Sequence, residues 1–190
     1  WHMRNKADRD DLVDIFMHVL KKEKAGANLA ISYLGALKAE EAVEVLAKYY
    51  VGKDQNLKNQ IILAIGKIGN KKAAKFLKNV MRKTQVARHL NNAAIALAEI
   101  GERKEAIKIL LELLQDRKAY MRINASFALG EIKAVEDAAV DGLITAVTDR
   151  NDYVRSEAAV ALGRVKAERA TVALEKLANG DNPFAALDAV

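Results

Sequence analysis

A period near 32 residues is the strongest constraint this chain places on its own fold. Five segments align without forcing: Tyr33-Leu-Gly-Ala-Leu-Lys38, Ile65-Gly-Lys-Ile-Gly69, Leu97-Ala-Glu-Ile-Gly101, Leu129-Gly-Glu-Ile-Lys133 and Leu162-Gly-Arg-Val-Lys166. One column in them is always small, at Gly35, Gly66, Ala98, Gly130 and Gly163, spaced by 31, 32, 32 and 33 positions. Two residues later an aliphatic follows every time: Leu37, Ile68, Ile100, Ile132 and Val165. An Ala comes seven or eight residues after the small one, at Ala42, Ala74, Ala106, Ala138 and Ala170. Three columns kept in register over five copies mark an internal repeat, and a period of this length belongs to stacked supersecondary units.

Within each unit the apolar spacing is helical. Met121, Ala125, Ala128, Leu129 and Ile132 fall at i, i+4, i+7, i+8 and i+11, and Val154, Ala158, Ala161, Leu162 and Val165 repeat the pattern. A shorter second helix follows, marked by Ala138, Leu143, Ile144 and Val147 in the fourth unit and by Ala170, Leu174 and Leu177 in the fifth. The composition agrees: 34 Ala and a single Pro in 190 residues favour helix along the whole chain. Glycine late in a first helix leaves nothing projecting from its Cα, so a neighbouring backbone can approach closely. A two-helix unit of this size cannot bury its own apolar face, and stacking similar units solves that problem. The expected fold is therefore all-α, an α-solenoid of about five two-helix repeats with partial repeats at both ends.

The segments Ala119-Tyr-Met-Arg-Ile-Asn-Ala-Ser-Phe-Ala-Leu-Gly130 and Asp152-Tyr-Val-Arg-Ser-Glu-Ala-Ala-Val-Ala-Leu-Gly163 resemble the short HEAT-like repeat named after phycobilisome lyases. The resemblance spans about residues 25 to 180. The mid-helix Pro of longer HEAT units is missing, as the short subclass implies, and units one to three keep only the Leu-Gly and Ala columns. Tetratricopeptide repeats, the nearest rival by length, would show Trp, Tyr and Pro columns that this chain lacks. The resemblance implies a right-handed, armadillo-like superhelix with its second helices on the concave side; it is highly specific for fold and hardly specific for function.

One repeat domain is expected over 1–190, with repeats at 25–52, 55–83, 86–116, 119–149 and 152–179. Residues 11–23 read as the second helix of a partial repeat with Asp10 or Asp11 as N-cap. Residues 182–190 read as the start of a further first helix, with Pro183 at its first position. Neither end shows a clear polar capping unit, which suggests a piece of a longer array. Residues 1–3 (Trp-His-Met) read as an expression remnant.

Charge is concentrated rather than spread. The net +6 resolves into +9 over residues 53–88, where ten Lys/Arg face one acid, and −3 over 119–152, with the remaining stretches neutral. Lys71, Lys75, Lys78 and Arg82 fall at i, i+4, i+7 and i+11, with Lys72 beside them, and Ala73, Ala74, Leu77, Val80 and Met81 lie opposite. This row is the candidate partner-binding site, an anion patch that Lys67, Lys83 and Arg88 would extend. Like charges at i,i+4 cost a few tenths of a kcal/mol per pair. Two readings of the row stand side by side, a solvated helix face and a site for phosphate, lipid headgroups or an acidic protein segment. The acidic fourth unit favours a polar, bipartite partner over a long duplex.

Enzyme chemistry finds few candidates. The absence of Cys removes thiol nucleophiles, disulfides and Cys-based zinc sites. Deoxyhypusine hydroxylases, which share this fold, bind iron through His-Glu dipeptides, and none of the three His here precedes Glu. HEAT-like alkylpurine glycosylases use Trp and Asp at a flipped base, and the single Trp is Trp1. Gly66 and Gly69 follow no strand, so they read as helix packing and a helix C-terminus rather than a phosphate loop. His18 reads as structural. Asp152 with Arg155, and Arg122 in the same column, suggest an inter-repeat polar ladder. Tyr120 and Tyr153 read as packed at repeat junctions, whereas Tyr49-Tyr50 reads equally as junction packing or as an exposed anchor. No cofactor and no metal are expected. The expectation is a non-enzymatic scaffold that binds a protein partner bearing an acidic segment on its concave face. A nucleic-acid binder is the alternative, and a lyase-type accessory protein for a tetrapyrrole comes third. No apolar run is long enough to span a membrane, the expected location is cytoplasmic, and the sequence leaves the oligomeric state undetermined.

Overall fold

The computed structural model describes residues 6–22, 26–166, 168–171 and 174–175. Among the described residues there are helices and turns but no strand. First helices of the repeats are α2 (Ala27–Ala36), α4 (Gln55–Ile68), α6 (Ala87–Leu97), α8 (Ala119–Glu131) and α10 (Asp152–Val165). Second helices are α3 (Val43–Tyr49), α5 (Lys71–Lys83), α7 (Arg103–Leu113) and α9 (Asp137–Ala146), and α1 (Lys6–Lys21) precedes the first full repeat. The chain divides into two compact units, residues 1–103 and 104–190.

In the first unit, first helices pack on first helices, α2 on α4 and α4 on α6, while α5 packs between α4 and α6. Leu34, Leu46, Ile61, Ile65, Leu77 and Leu97 are fully enclosed. Full burial of such a side chain stabilises by about 1.5–3 kcal/mol. The small-residue column explains how the helices come so close. A Cβ added to Gly35 would lie 2.9 Å from the Cα of Ala64, and one added to Gly66 would lie 2.6 Å from the Cβ of Ala96. In the second unit, a Cβ on Gly130 would meet the Cα and Cβ of Ala161, both at 3.1 Å. Each glycine thus faces an Ala standing two residues before the next small residue.

The column three residues further on has a single conformation. Lys38 (φ 48°), Gly69 (70°), Gly101 (90°), Lys133 (50°) and Lys166 (52°) all lie in the left-handed region. At Lys38 and Lys133 it ends the first helix in a Schellman cap, whereas Gly69 donates its N–H to the Ile65 carbonyl at 3.3 Å in the simpler left-handed cap. Around Lys38 the cap consists of Lys38 N–H to the Gly35 carbonyl at 3.2 Å and Ala39 N–H to the Leu34 carbonyl at 3.1 Å. Lys133 and Ala134 repeat it against Gly130 at 3.1 Å and Leu129 at 3.0 Å. The third repeat departs from the others. Ala98 replaces glycine there, and Ala98–Glu102 forms a wider π-type turn that kinks at Gly101.

Three expectations change. Helix α1 covers Lys6–Lys21, so Asp10 and Asp11 sit within it and do not cap it. Ala138 is exposed, and its neighbour Ala139 is buried in its place; α9 starts seven residues after Gly130, whereas α5 and α7 start five after Gly66 and Ala98. Tyr120 and Tyr153 are 40% and 75% exposed and do not pack at the junctions. Residues 1–3, residues 182–190 and Leu177, which marks the second helix of the 152–179 repeat, lie outside the described residues.

Candidate interaction surface

Helix α5 carries the basic row. Asn70 caps it by accepting the Ala73 N–H at 2.8 Å, and Ala73, Ala74, Leu77, Val80 and Met81 form its buried face. That leaves Lys71, Lys72, Lys75 and Arg82 exposed, with Lys78 partly covered. The periodicity of the row thus places the five cations together on the outer side of one helix, as the sequence implies.

Two of them are already committed. Lys72 Nζ donates to Glu44 Oε1 of α3 at 2.8 Å, and Lys78 Nζ donates to Glu102 Oε2 at 3.3 Å. The hydrogen bond and charge of Lys72, with a smaller contribution from Lys48, hold the Glu44 carboxyl below the ordinary carboxylate range. Reciprocally, the hydrogen bond and charge of Glu44 raise Lys72. Among the described residues, Lys71 and Lys75 have no ion-pair partner. These two ammonium groups, one helical turn apart, are the available part of the patch. Sequence spacing missed the acids because Glu44–Lys72 and Lys78–Glu102 do not follow the repeat period.

The proposed extensions divide among faces. Lys83 is exposed in the last turn of α5, where positive charge complements the helix dipole, and Arg88 is exposed at the start of α6. Lys67 instead lines a groove of about 500 Å³ between α2 and α4, beside the exposed Leu29 and Leu63. Tyr50 packs edge-on against Phe76 with ring centroids 5.3 Å apart, and burial raises its hydroxyl pKa. Lys58 lies 5.3 Å from the Tyr50 ring, and Lys53 lies 4.0 Å from the Tyr49 ring. Junction packing therefore accounts for Tyr50. His18 is exposed on α1. His89 is 1% exposed, and its Nε2 lies 2.8 Å from the Gln55 carbonyl of the preceding first helix.

In the second unit the expected ladder is corrected: Asp152 pairs with Arg155 within α10, and the bridge between repeats runs from Arg122 to Asp149. Arg122 on α8 grips Asp149 in the turn before α10 through two bonds, Nε to Oδ2 at 2.7 Å and Nη2 to Oδ1 at 2.8 Å. Its Nη1 donates to the carbonyls of Asp116 at 2.8 Å and Arg117 at 3.2 Å. Arg155 repeats the second element, donating to the Asp149 carbonyl at 2.9 Å, and it also bonds Asp152. Burial disfavours the ionised Asp149, but the Arg122 hydrogen bonds, the Asn151 N–H and the nearby Arg150 outweigh it and hold the carboxyl below its ordinary range. Arg122 is raised chiefly by its bond to Asp149. The signal was present in the sequence as Asp116-Arg117 and Asp149-Arg150, one repeat apart.

Among the described residues, no cluster of His, Asp and Glu is arranged to hold a metal ion, and no helix is long and apolar enough to cross a membrane.

These stacked helical hairpins, with a repeated cap and a repeated glycine–alanine contact, define an α-helical repeat protein of the armadillo/HEAT type. A family model for HEAT repeats matches residues 10–97, 54–125 and 107–190, and the chain belongs to that family. Solved structures similar to it include one described for TOG–tubulin binding specificity in microtubule dynamics and spindle formation. That structure has a TM-score of 0.51 and 10% identity, covering 94% of this chain and 87% of the other. A designed armadillo repeat protein in complex with the peptide (KR)4 gives 0.48 and 16%, covering 87% of each. Human deoxyhypusine hydroxylase gives 0.43 and 19%, covering 92% of this chain and 91% of the other. A comparison with curated proteins finds no match.

Proposed function

We propose that this chain is a non-enzymatic protein-interaction scaffold that holds an acidic segment of a partner against the exposed face of α5. The fold class generally serves as such a scaffold. The observation that carries the reading is the pair Lys71 and Lys75. Both are exposed, among the described residues neither has an ion-pair partner, and both project from a helix whose opposite face is fully buried. Glu44 and Glu102 set carboxylates among the row. A phosphate backbone running along all five cations would meet those acids, whereas a short acidic peptide can address Lys71 and Lys75 alone.

The test is a titration of poly-glutamate, DNA and RNA at about 50 and 200 mM salt. Poly-glutamate binding that is lost in the Lys71→Glu/Lys75→Glu variant is the expected result. A nucleic-acid complex resting on two phosphate contacts would weaken about tenfold across that salt range. Saturable nucleic-acid binding tighter than poly-glutamate binding would replace the scaffold reading with the nucleic-acid one.

A further inference from the structure

The turns that open the last two first helices repeat a seven-residue pattern, Asp116-Arg117-Lys118-Ala119-Tyr120-Met121-Arg122 and Asp149-Arg150-Asn151-Asp152-Tyr153-Val154-Arg155. The first and last residues of each copy have structural work. Arg122 and Arg155 lock the carbonyls of Asp116 and Asp149, Met121 and Val154 are buried, and Asp116 and Asp149 accept the N–H groups of Lys118 and Asn151 at 2.8 Å each. Asn151 caps α10, Asp152 accepts from Arg155, and Lys118 Nζ lies 5.7 Å from the Tyr120 ring, which leaves Arg117 and Tyr120 in one copy and Arg150 and Tyr153 in the other as the large side chains facing solvent. All four are exposed. Among the described residues neither Arg117 nor Arg150 has an ion-pair partner for its guanidinium. Both border a cleft of about 510 Å³ whose floor includes Gly142 and Thr145.

We propose that these two turns form a second interaction surface, in the residue 104–190 unit, for an extended polypeptide segment carrying acidic side chains three residues apart. Packed helices stand about 10 Å apart, and α8 and α10 are packed: a Cβ on Gly130 would meet Ala161, and Arg122 reaches Asp149. Equivalent side chains in successive turns therefore repeat at about 10 Å. A segment in the polyproline II conformation has three residues per turn and rises about 3.1 Å per residue, so every third side chain returns to the same side about 9 Å further on and meets the next Arg and Tyr. Guanidinium groups select carboxylates by their fork geometry. Arg and Tyr are also the side chains most enriched at the energetic centres of protein interfaces, and the Tyr rings would cover the intervening residues. Because Arg122 and Asp149 hold the turns rigidly, little ordering is left to be done on binding. The unit as a whole has more acids than bases, 14 against 12 over residues 104–190. Positive charge is therefore local to the two arginines, a footprint that a short segment with two carboxylates can match and a continuous phosphate backbone would overrun. The surface is independent of the α5 row, and each can fail alone.

The test uses the full chain and calorimetry with three probes: a peptide of four Glu-Pro-Ser triplets, the same residues with the glutamates in one block, and a thymidine oligonucleotide. The triplet peptide is expected to bind, and to bind more tightly than the block peptide. Its affinity should fall at least tenfold in Arg117→Glu/Arg150→Glu and in Tyr120→Ser/Tyr153→Ser, and persist in Lys71→Glu/Lys75→Glu. All four positions are exposed, and an unchanged thermal midpoint confirms that each variant is folded. No binding of the triplet peptide, equal affinity for the block peptide, indifference to both turn variants, or tighter binding of the oligonucleotide would each overturn the proposal.

Discussion

Arg122 and Asp149 face each other across consecutive repeats with both pairs of atoms in register, Nε to Oδ2 at 2.7 Å and Nη2 to Oδ1 at 2.8 Å. Both side chains are largely buried, so removing one partner strands the other charge. Asp149→Ala is expected to destabilise by about 3 kcal/mol, read as a loss of unfolding free energy in urea. An effect below half of that would show that Arg122 is satisfied by the Asp116 and Arg117 carbonyls alone.

The same pair sets a pH dependence. Asp149 titrates lower in the folded chain than in the unfolded one, so the unfolded state binds its proton first as pH falls. The stability it confers is complete above the ordinary carboxylate value of about 3.9 and is lost as pH falls through the lowered folded value. Asp149→Asn should flatten that acid limb. A urea midpoint measured from pH 6 downwards in both proteins checks it, and parallel curves would contradict the assignment.

The interlock of first helices predicts an asymmetry among glycines. Gly35→Ala pushes a methyl to 2.9 Å from backbone at Ala64, whereas among the described residues nothing lies within 4 Å of the same methyl at Gly163. Overpacking of this kind costs about 1–3 kcal/mol, while alanine within a helix gains up to about 1 kcal/mol over glycine. Gly35→Ala should therefore lower the thermal midpoint and Gly163→Ala should not.

Lys38 and Lys166 hold a left-handed backbone that Gly69 holds without a Cβ. The conformation costs a side-chain-bearing residue about 1 kcal/mol. Lys38→Gly and Lys166→Gly should each raise stability by up to about that amount. A fall in either midpoint would mean that the lysine stem contributes packing greater than the backbone relief.

His89 offers a sharper local test. A carbonyl only accepts, so the Nε2 that faces the Gln55 oxygen at 2.8 Å carries the proton. Nitrogen NMR should find the Nε2–H tautomer. His89→Ala, which leaves that buried carbonyl unmet and a space beside it, should destabilise by about 2 kcal/mol.

Much of this was legible in the residues themselves. The small column foretold close approach at Gly35, Gly66 and Gly130, and the heptad-like spacing of α5 separated Ala73, Leu77 and Met81 from Lys71 and Lys75 because burial and exposure on one helix obey a single period. What escaped was whatever the period does not govern. Glu44 and Glu102 reach α5 from positions outside its columns, so the neutralisation of Lys72 and Lys78 was invisible. Tyr120 and Tyr153 share a column but stand on the solvent side of their helices, where a repeat distance alone says nothing about burial. Asp10 and Asp11 resemble caps only if the helix begins beside them, and α1, which covers Lys6–Lys21, holds them in its interior.

The contact between first helices has a bearing on how such a chain can grow. Helix α4 presents Ala64 as a knob to the hollow at Gly35, and two residues further on offers its own hollow, at Gly66, to Ala96. This one helix bears plug and socket together. A tandem duplication of the coding segment would therefore join a copy to its parent through a joint that already fits, and repeat number can change without any new interface having to be invented.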